Sequence, residues 1–542
     1  MSDSFDYVVV GAGSAGCVLA NRLSEEGDAH VCLIEAGTSN RHPFIHIPLG
    51  LIGLIKHPRL NWRFESTPQR GAGGRNIYVA RGKTLGGSSS INGMVYIRGH
   101  RLDYDEWAAE GNRGWSYAEV LPYFRRSEHN ETWGGSDFHG GDGPMNVMHS
   151  QKPSATNEIF LEACEALQLR RRSDGFNTWD QEGVGMHQVT QRAGFRESTA
   201  TAFLKPALSR PNLTVITGEM VGRIVLEGGR ATAVELVSEG RTRRIAASKE
   251  IILSAGAINS PSILMRSGIG DPDDLRKHGI APRVALPGVG RNLQDHFGAG
   301  VHVETDDTRF YGLSARAIPR SILSGLDYIL FRCGLIASNV FESGGFIKTD
   351  PSADRPDIQL TFFPGRLGRN GRVVGMGHGY GVASLVLRPK SRGSVTLRSA
   401  DPRAMPLIDF NVFDAPDDLA IFMRGMKLAR EIAHAPPLSN YAGREWAPGP
   451  NVKTDEQFEA WSRMAAATIF HPAGTCRMGH GPDTVVDDQL RVHGIEGLRV
   501  ADTSIMPRLI GGNTNAPTIM IGEKASDMIR GLPPLAPAKV AA

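Results

Sequence analysis

The run at residues 7–23, YVVVGAGSAGCVLANRL, constrains this chain more than any other stretch. A short apolar strand leads into Gly11, Gly13 and Gly16, an Ala/Leu-rich helix follows to about Leu23, and a second apolar strand at 31–34 ends on Glu35. Strand, glycine turn, helix, strand and an acid roughly 20 residues beyond the last glycine form the layout of a dinucleotide-binding unit. The first glycine makes the turn, the second lets the backbone approach a pyrophosphate, and the third lets the helix pack on the strand. Amides at the helix N-terminus then face the phosphates, and Glu35 accepts hydrogen bonds from both ribose hydroxyls, which disfavours a 2′-phosphate. The pattern does not separate NAD from FAD. A rival cluster, Gly375, Gly377, Gly379 and Gly381, has the wrong spacing and runs into the strand-like ASLVL, so one dinucleotide is expected.

Glycine makes up 64 of the 542 residues, well above the average of roughly 7 %. Without a repeat, that excess signals tight turns or backbone brought close to something. Sixty basic and 57 acidic residues leave a net charge of +3 with no single-sign block, so neither nucleic acid nor an acidic partner is implied. Cys17, Cys32, Cys164, Cys333 and Cys476 are few, odd in number and widely spaced; they read as reduced thiols of a cytoplasmic protein, not a disulfide framework or a metal site. The start, with Asp3 and Asp6 and no basic region, does not read as a signal peptide, and no apolar run is long enough to span a membrane. The nearest approach, FIHIPLGLIGLI at 44–55 followed by Lys56, His57 and Arg59, reads as a buried or channel-lining loop, with peripheral membrane docking as its alternative.

From about Asp357 to Phe410 the texture changes. DIQLTFF, ASLVLRP, KSRG and SVTLRS read as strands joined by turns, the signature of an antiparallel sheet. Helical stretches at 415–432 and 455–467 lie around it, the second opened by a capping box of Thr454 and Gln457. The expected fold is α/β (α+β overall): a Rossmann-like FAD-binding domain at 1–160, 195–300 and 465–531, and a substrate domain at 161–194 and 301–464 built on an antiparallel sheet flanked by helices. The Pro/Ala-rich 532–542 is expected to be a flexible tail.

Four further segments carry chemistry: RGKTLGGSSSINGMVYIRG at 81–99, GAINSPSILMRSGIG at 256–270 followed by GVGRNLQDH at 288–296, FHPAGTCRMG at 470–479, and RVADTSIMPRLIGGNTNAPTIMIGE at 499–523. With the N-terminal fingerprint and the linking HPFIHIPLG, NWRFESTPQ and NVFESGGF, they resemble the glucose-methanol-choline (GMC) oxidoreductases across nearly the whole chain. These are FAD enzymes that oxidise alcohols. Within the family the chain looks most like the bacterial FAD-dependent primary alcohol dehydrogenases, with L-sorbose and choline dehydrogenases next.

The resemblance implies roles residue by residue. His471 matches the catalytic histidine, and physical chemistry agrees: an alkoxide donates hydride far better than an alcohol, and a histidine suits removal of the hydroxyl proton near neutral pH. The family carries a second catalytic histidine or asparagine, which the resemblance sets at Asn515; its other reading is a helix N-cap. That helix start would point its positive dipole end at the flavin pyrimidine edge. Asp502 resembles the residue near the ribityl and pyrophosphate portion, or else a turn aspartate. The FAD-binding positions implied are Gly11, Gly13, Ser14, Ala15, Gly16, Glu35, Ala36, Trp62, Gly87, Ser88, Asn92, Gly93, Met94, Val95, Val221, Ala255, Ala501 and Asp502. Some relatives attach FAD to a histidine in the serine-rich segment; here that position is Ile91, which implies non-covalent FAD. Glu342 either faces the substrate, where it could pair with a quaternary ammonium, or holds a structural hydrogen bond.

The reaction implied is oxidation of a primary alcohol to the aldehyde, with hydride passing to flavin N5 and electrons to a quinone-like acceptor. The alternatives are an oxidase returning electrons to O2 and releasing H2O2, a flavin-dependent hydroxynitrile lyase, and a non-catalytic flavin-binding protein. A lipid-dissolved acceptor would be met from the cytoplasmic face of the inner membrane, with 44–55 as the contacting surface.

Overall fold

The computed structural model describes residues 4–238, 241–366 and 375–539; Asp3 and the last three residues of the tail fall outside them. The chain opens with β1 (Ser4–Val10), α1 (Ser14–Leu23) and β2 (Val31–Glu35). After a long excursion containing β3 (Gly183–Met186), it returns as β4 (Leu213–Thr217), β5 (Met220–Glu227), β6 (Arg230–Ser238) and β7 (Arg241–Leu253). A second excursion holds β8 (Phe297–Thr305), α2 (Ile318–Phe331), β9 (Ser343–Ile347), β10 (Ile358–Phe363), β11 (Gly377–Val386), α3 (Pro416–His434), β12 (Glu445–Ala447) and β13 (Ala467–Thr468). The chain closes with β14 (Leu498–Val500) and α4 (Asn515–Arg530).

The first sheet runs β4-β2-β1-β7-β6-β5, with β14 on β7. Its centre is parallel, as consecutive apolar strands buried on both faces require, and β5-β6-β7 is an antiparallel meander at one side. α1 and α4 cover it side by side, tied by Arg22 to Glu523 at 2.9 Å. This is the expected Rossmann-like architecture.

The second sheet runs β12-β8-β11-β10-β9-β3 and is antiparallel throughout. Its residues alternate with the pleat. Val301, Val303, Leu360, Phe362 and Val382 share a core with Phe422, Met426 and Ala429 of α3. The intervening Gly300, His302, Gln359, Thr361, Phe363 and Ala383 face the other way, into a cavity.

Three expectations need correction. The boundary at 300 cuts through β8, and Ala467–Thr468, assigned to the FAD domain, pairs with β8 in the second sheet. The KSRG turn does not join a hairpin: β11 stops at Val386 before Pro389, and Ser394–Thr396 pairs instead with Leu407–Asp409. The tail is not free, because the Leu535 amide donates to Tyr123 Oη at 3.2 Å, the Ala538 amide donates to the Ala118 carbonyl at 2.8 Å, and both side chains pack on the first core. The capping box of Thr454 and Gln457 opens a helix at Asp455–Ala465, as expected.

Candidate active site

A cavity of about 610 Å3 lies between the two sheets. Its floor at one end is the fingerprint turn. Gly11 adopts φ +101°, and a Cβ there would stand 2.6 Å from the Ser254 carbonyl oxygen; a Cβ on Gly16 would stand 1.9 Å from that of Gly11. The turn and the helix contact therefore both require glycine. α1 starts with no side-chain cap, so its first-turn amides remain available to an anion at the cavity wall. Glu35 lines the same end and accepts from the amides of Ala12 at 3.0 Å and Gly37 at 2.7 Å, while burial raises its carboxyl to about 7.

Gly13, Ser14, Ala15, Ala36, Trp62, Gly87, Ser88, Asn92, Gly93, Met94, Val95, Val221, Ala255 and Asp502 also line the cavity. Bare backbone at the turn, uncapped helix amides and a buried carboxylate suit a dinucleotide's phosphates and ribose, so these residues fit FAD. Gly16 and Ala501 do not line it. Gly16 packs beneath the turn, and the Ala501 carbonyl accepts from Ser254 Oγ at 3.0 Å behind the wall. Asp502 also serves the fold: its carboxylate accepts from the Gly256 amide, Ser260 Oγ and the Ser504 amide at 2.8, 2.6 and 2.8 Å.

At the far end stands His471. Phe470 before it holds φ +72°, a left-handed conformation rare outside glycine. Neighbours fix it there: Arg81 donates to the Phe470 carbonyl at 2.5 Å, the Phe470 amide donates to Thr468 Oγ1, and the His471 amide donates to Asp295 at 2.8 Å. Thr468 in turn donates to Asp295, whose burial lifts its carboxyl to about 7.

The hydrogen bonds assign the tautomer of His471. His296 Nε2 lies 3.0 Å from the Ile510 carbonyl, so it must carry the proton. Burial holds His296 neutral, pulling it down to about 4, which leaves its Nδ1 bare. That Nδ1 lies 2.9 Å from His471 Nδ1, so His471 is the donor and its own Nε2 is unprotonated. Burial, with the Arg81 charge adding to it, pushes His471 well below the ordinary histidine range. Asn513 Nδ2 donates toward this bare Nε2 at 3.4 Å, and Gln359 Nε2 donates to Asn513 Oδ1, also at 3.4 Å.

Two expected roles change. The asparagine facing His471 is Asn513; Asn515 lies within the first turn of α4 and its Oδ1 accepts from Ser14 Oγ at 2.7 Å, tying the starts of α1 and α4 together. Glu342 does not line the cavity. It accepts from the Ser154 amide at 2.9 Å, Asn157 Nδ2 at 2.6 Å and Ser150 Oγ at 3.4 Å, which is its structural reading. The segment at 44–55 is wall, not surface: Ile45, Leu51 and Leu54 are buried, Leu51 and Ile55 line the cavity, and Phe44 alone among its large apolar residues is exposed.

Sequence reasoning did not reach His296, Asp295 and Gln359. Asp295 and His296 sit in the quoted GVGRNLQDH, but their partners lie about 175 residues away.

The sequence model described as GMC oxidoreductase matches residues 5–298, and its C-terminal counterpart matches 389–522. The chain is 44 % identical over 527 residues to the alcohol dehydrogenase [acceptor] of Pseudomonas putida, covering 97 % of this chain and 95 % of that protein. It is 44 % identical over 543 residues to the mitochondrial choline dehydrogenase of Homo sapiens, covering 98 % and 91 %. Among solved structures, a formate oxidase variant of Aspergillus oryzae RIB40, described for its FAD modification, superimposes with a TM-score of 0.91 at 27 % identity, covering 98 % of each chain.

Proposed function

The chain belongs to the GMC oxidoreductase family, enzymes that bind FAD and act on CH–OH donors, and from that premise we propose that it oxidises an uncharged primary alcohol to the aldehyde. The observation that carries this reading is the bare Nε2 of His471, held open by the His296 relay beside the Asn513 amide. A hydroxyl set between them receives a hydrogen bond from Asn513 and gives its proton to His471 Nε2. The lowered pKa keeps His471 free to accept at neutral pH. When bound, FAD supplies the acceptor for the hydride that the alkoxide carbon releases and passes the electron pair to a second acceptor, which we take to be quinone-like. Gln359 orients Asn513, so the alcohol oxygen meets a donor and an acceptor whose directions are both fixed.

The substrate end supports an uncharged alcohol. The cavity's carboxylates, Glu35, Glu219 and Asp502, are set at the nucleotide strands, whereas the second sheet offers glycine, alanine, Gln359, Thr361, Phe363, Leu385 and neutral His302. Among the described residues a quaternary ammonium would find no carboxylate there, only ring faces such as Phe363 and Trp446. Ile91, at the cavity wall, offers no nucleophile, which supports dissociable FAD; flavin that remains with acid-precipitated protein would overturn this.

The test is an alcohol panel of aliphatic, benzylic, sugar and choline substrates, assayed with an artificial acceptor and with O2 in parallel. Uncharged primary alcohols should reduce the dye faster than choline does, with little H2O2. Equal rates with O2 would make the enzyme an oxidase, and failure of any alcohol to bleach the flavin anaerobically would turn the reading to a lyase.

A further inference from the structure

α2 is built inside out. Ile318, Ile322, Leu323, Leu326, Ile329 and Leu330 form one continuous stripe at helical spacing. They are exposed by between 47 % at Leu326 and 65 % at Ile329 and Leu330. Arg320, Ser324, Asp327 and Tyr328 lie on the less exposed side instead. Arg320 donates to the Thr308 carbonyl at 2.6 Å, Asp327 pairs with Lys152 at 2.6 Å, and Tyr328 packs against Phe195. A soluble helix ordinarily does the reverse, and an exposed contiguous apolar stripe of this kind marks a contact surface.

We propose that α2 docks this protein on an anionic lipid bilayer, the apolar stripe lying in the headgroup boundary. Charge chooses the occupant. Exposed Arg316 and Arg332 flank the two ends of the helix, and its only carboxylate, Asp327, is paired with Lys152. A second copy would present the same stripe and the same two arginines, and its one helix carboxylate, Asp327, is already paired with Lys152. An anionic bilayer supplies acyl chains for the stripe at the headgroup boundary and headgroup phosphates as acceptors for the arginines. The turn Leu335–Ala337 joins the helix to Val340 and Phe341, and Phe341 lines the cavity.

Holoenzyme is mixed with vesicles of phosphatidylcholine, with and without phosphatidylglycerol, and sedimented. Binding should favour the anionic vesicles and weaken with salt, and Ile322→Glu with Leu326→Glu should lower partitioning by about tenfold or more while dye-linked alcohol oxidation stays unchanged. In the wild-type protein, vesicles should slow hydrogen exchange at 318–331, a readout that needs no variant. Absence of sedimentation, equal sedimentation of the double variant, or a wild-type dimer that the double variant converts to monomer without any vesicle binding would each overturn the proposal.

Discussion

Replacing His296 by leucine removes the acceptor for His471 Nδ1–H while keeping an apolar side chain of similar bulk in a fully buried position. A buried N–H left without a partner costs about 1–3 kcal/mol. The His471 ring then either keeps that cost at Nδ1 or moves its proton to Nε2, where it opposes the Asn513 donor and blocks acceptance from substrate; either way the neutral base facing the alcohol is disfavoured. About 1.4 kcal/mol is tenfold in rate, so His296→Leu should slow anaerobic flavin reduction by roughly ten- to a hundred-fold with FAD content unchanged. His296→Asn sets an oxygen near the place of Nδ1 and should recover most of the loss, which separates the tautomer from packing. Stopped-flow reduction of the bound flavin by alcohol reads both. A leucine variant as fast as wild type, or an asparagine variant as slow as leucine, would refute the relay.

Because burial lowers His471 well below the usual range and the base must be neutral, kcat/KM should hold as pH falls through 6.5 and decline only below it; an acid limb centred at 6.5 or above would contradict this. Ribose hydroxyls favour ionised Glu35, whose carboxyl sits at about 7, so apoprotein should bind FAD more tightly at pH 8 than at pH 6, by up to about tenfold, and equal affinity would exclude the carboxylate's role. Asn513→Ala should lower kcat/KM by about ten- to a hundred-fold, whereas Asn515→Ala should act mainly on FAD retention; the opposite pattern would restore Asn515 as the substrate's partner. Glu342→Gln should lower stability by about 1–3 kcal/mol in denaturant titration and leave the relative rates for choline and aliphatic alcohols unchanged.

What the sequence made legible follows range. The fingerprint of Gly11, Gly13, Gly16 and Glu35 is local, each residue's job being set by neighbours within one strand–helix–strand unit, and it reads without a structure. Of the second sheet, β10 and β11 were readable from DIQLTFF and ASLVL, but the pairing of SVTLRS was not, since Ser394–Thr396 joins Leu407–Asp409 in a separate two-stranded ribbon and not the adjacent β11. Asn513 and Asn515 differ by two positions in NTN, and which one faces His471 depends on where α4 begins, a matter of one turn that spacing cannot resolve. The apolar run at 44–55 and the stripe on α2 look alike as composition; only tertiary packing makes the first a cavity wall and the second an outer face.

The first sheet receives β14 and its covering helix α4 from the last part of the chain. Asp502, Thr514 and Asn515, which line the cavity, are therefore still inside or just leaving the ribosome when β1, α1 and β2 have long been made. Until they arrive, the early strands wait with an open flank. A messenger cut short anywhere before the final helix yields no partly active enzyme, only a sheet with an unfilled seam.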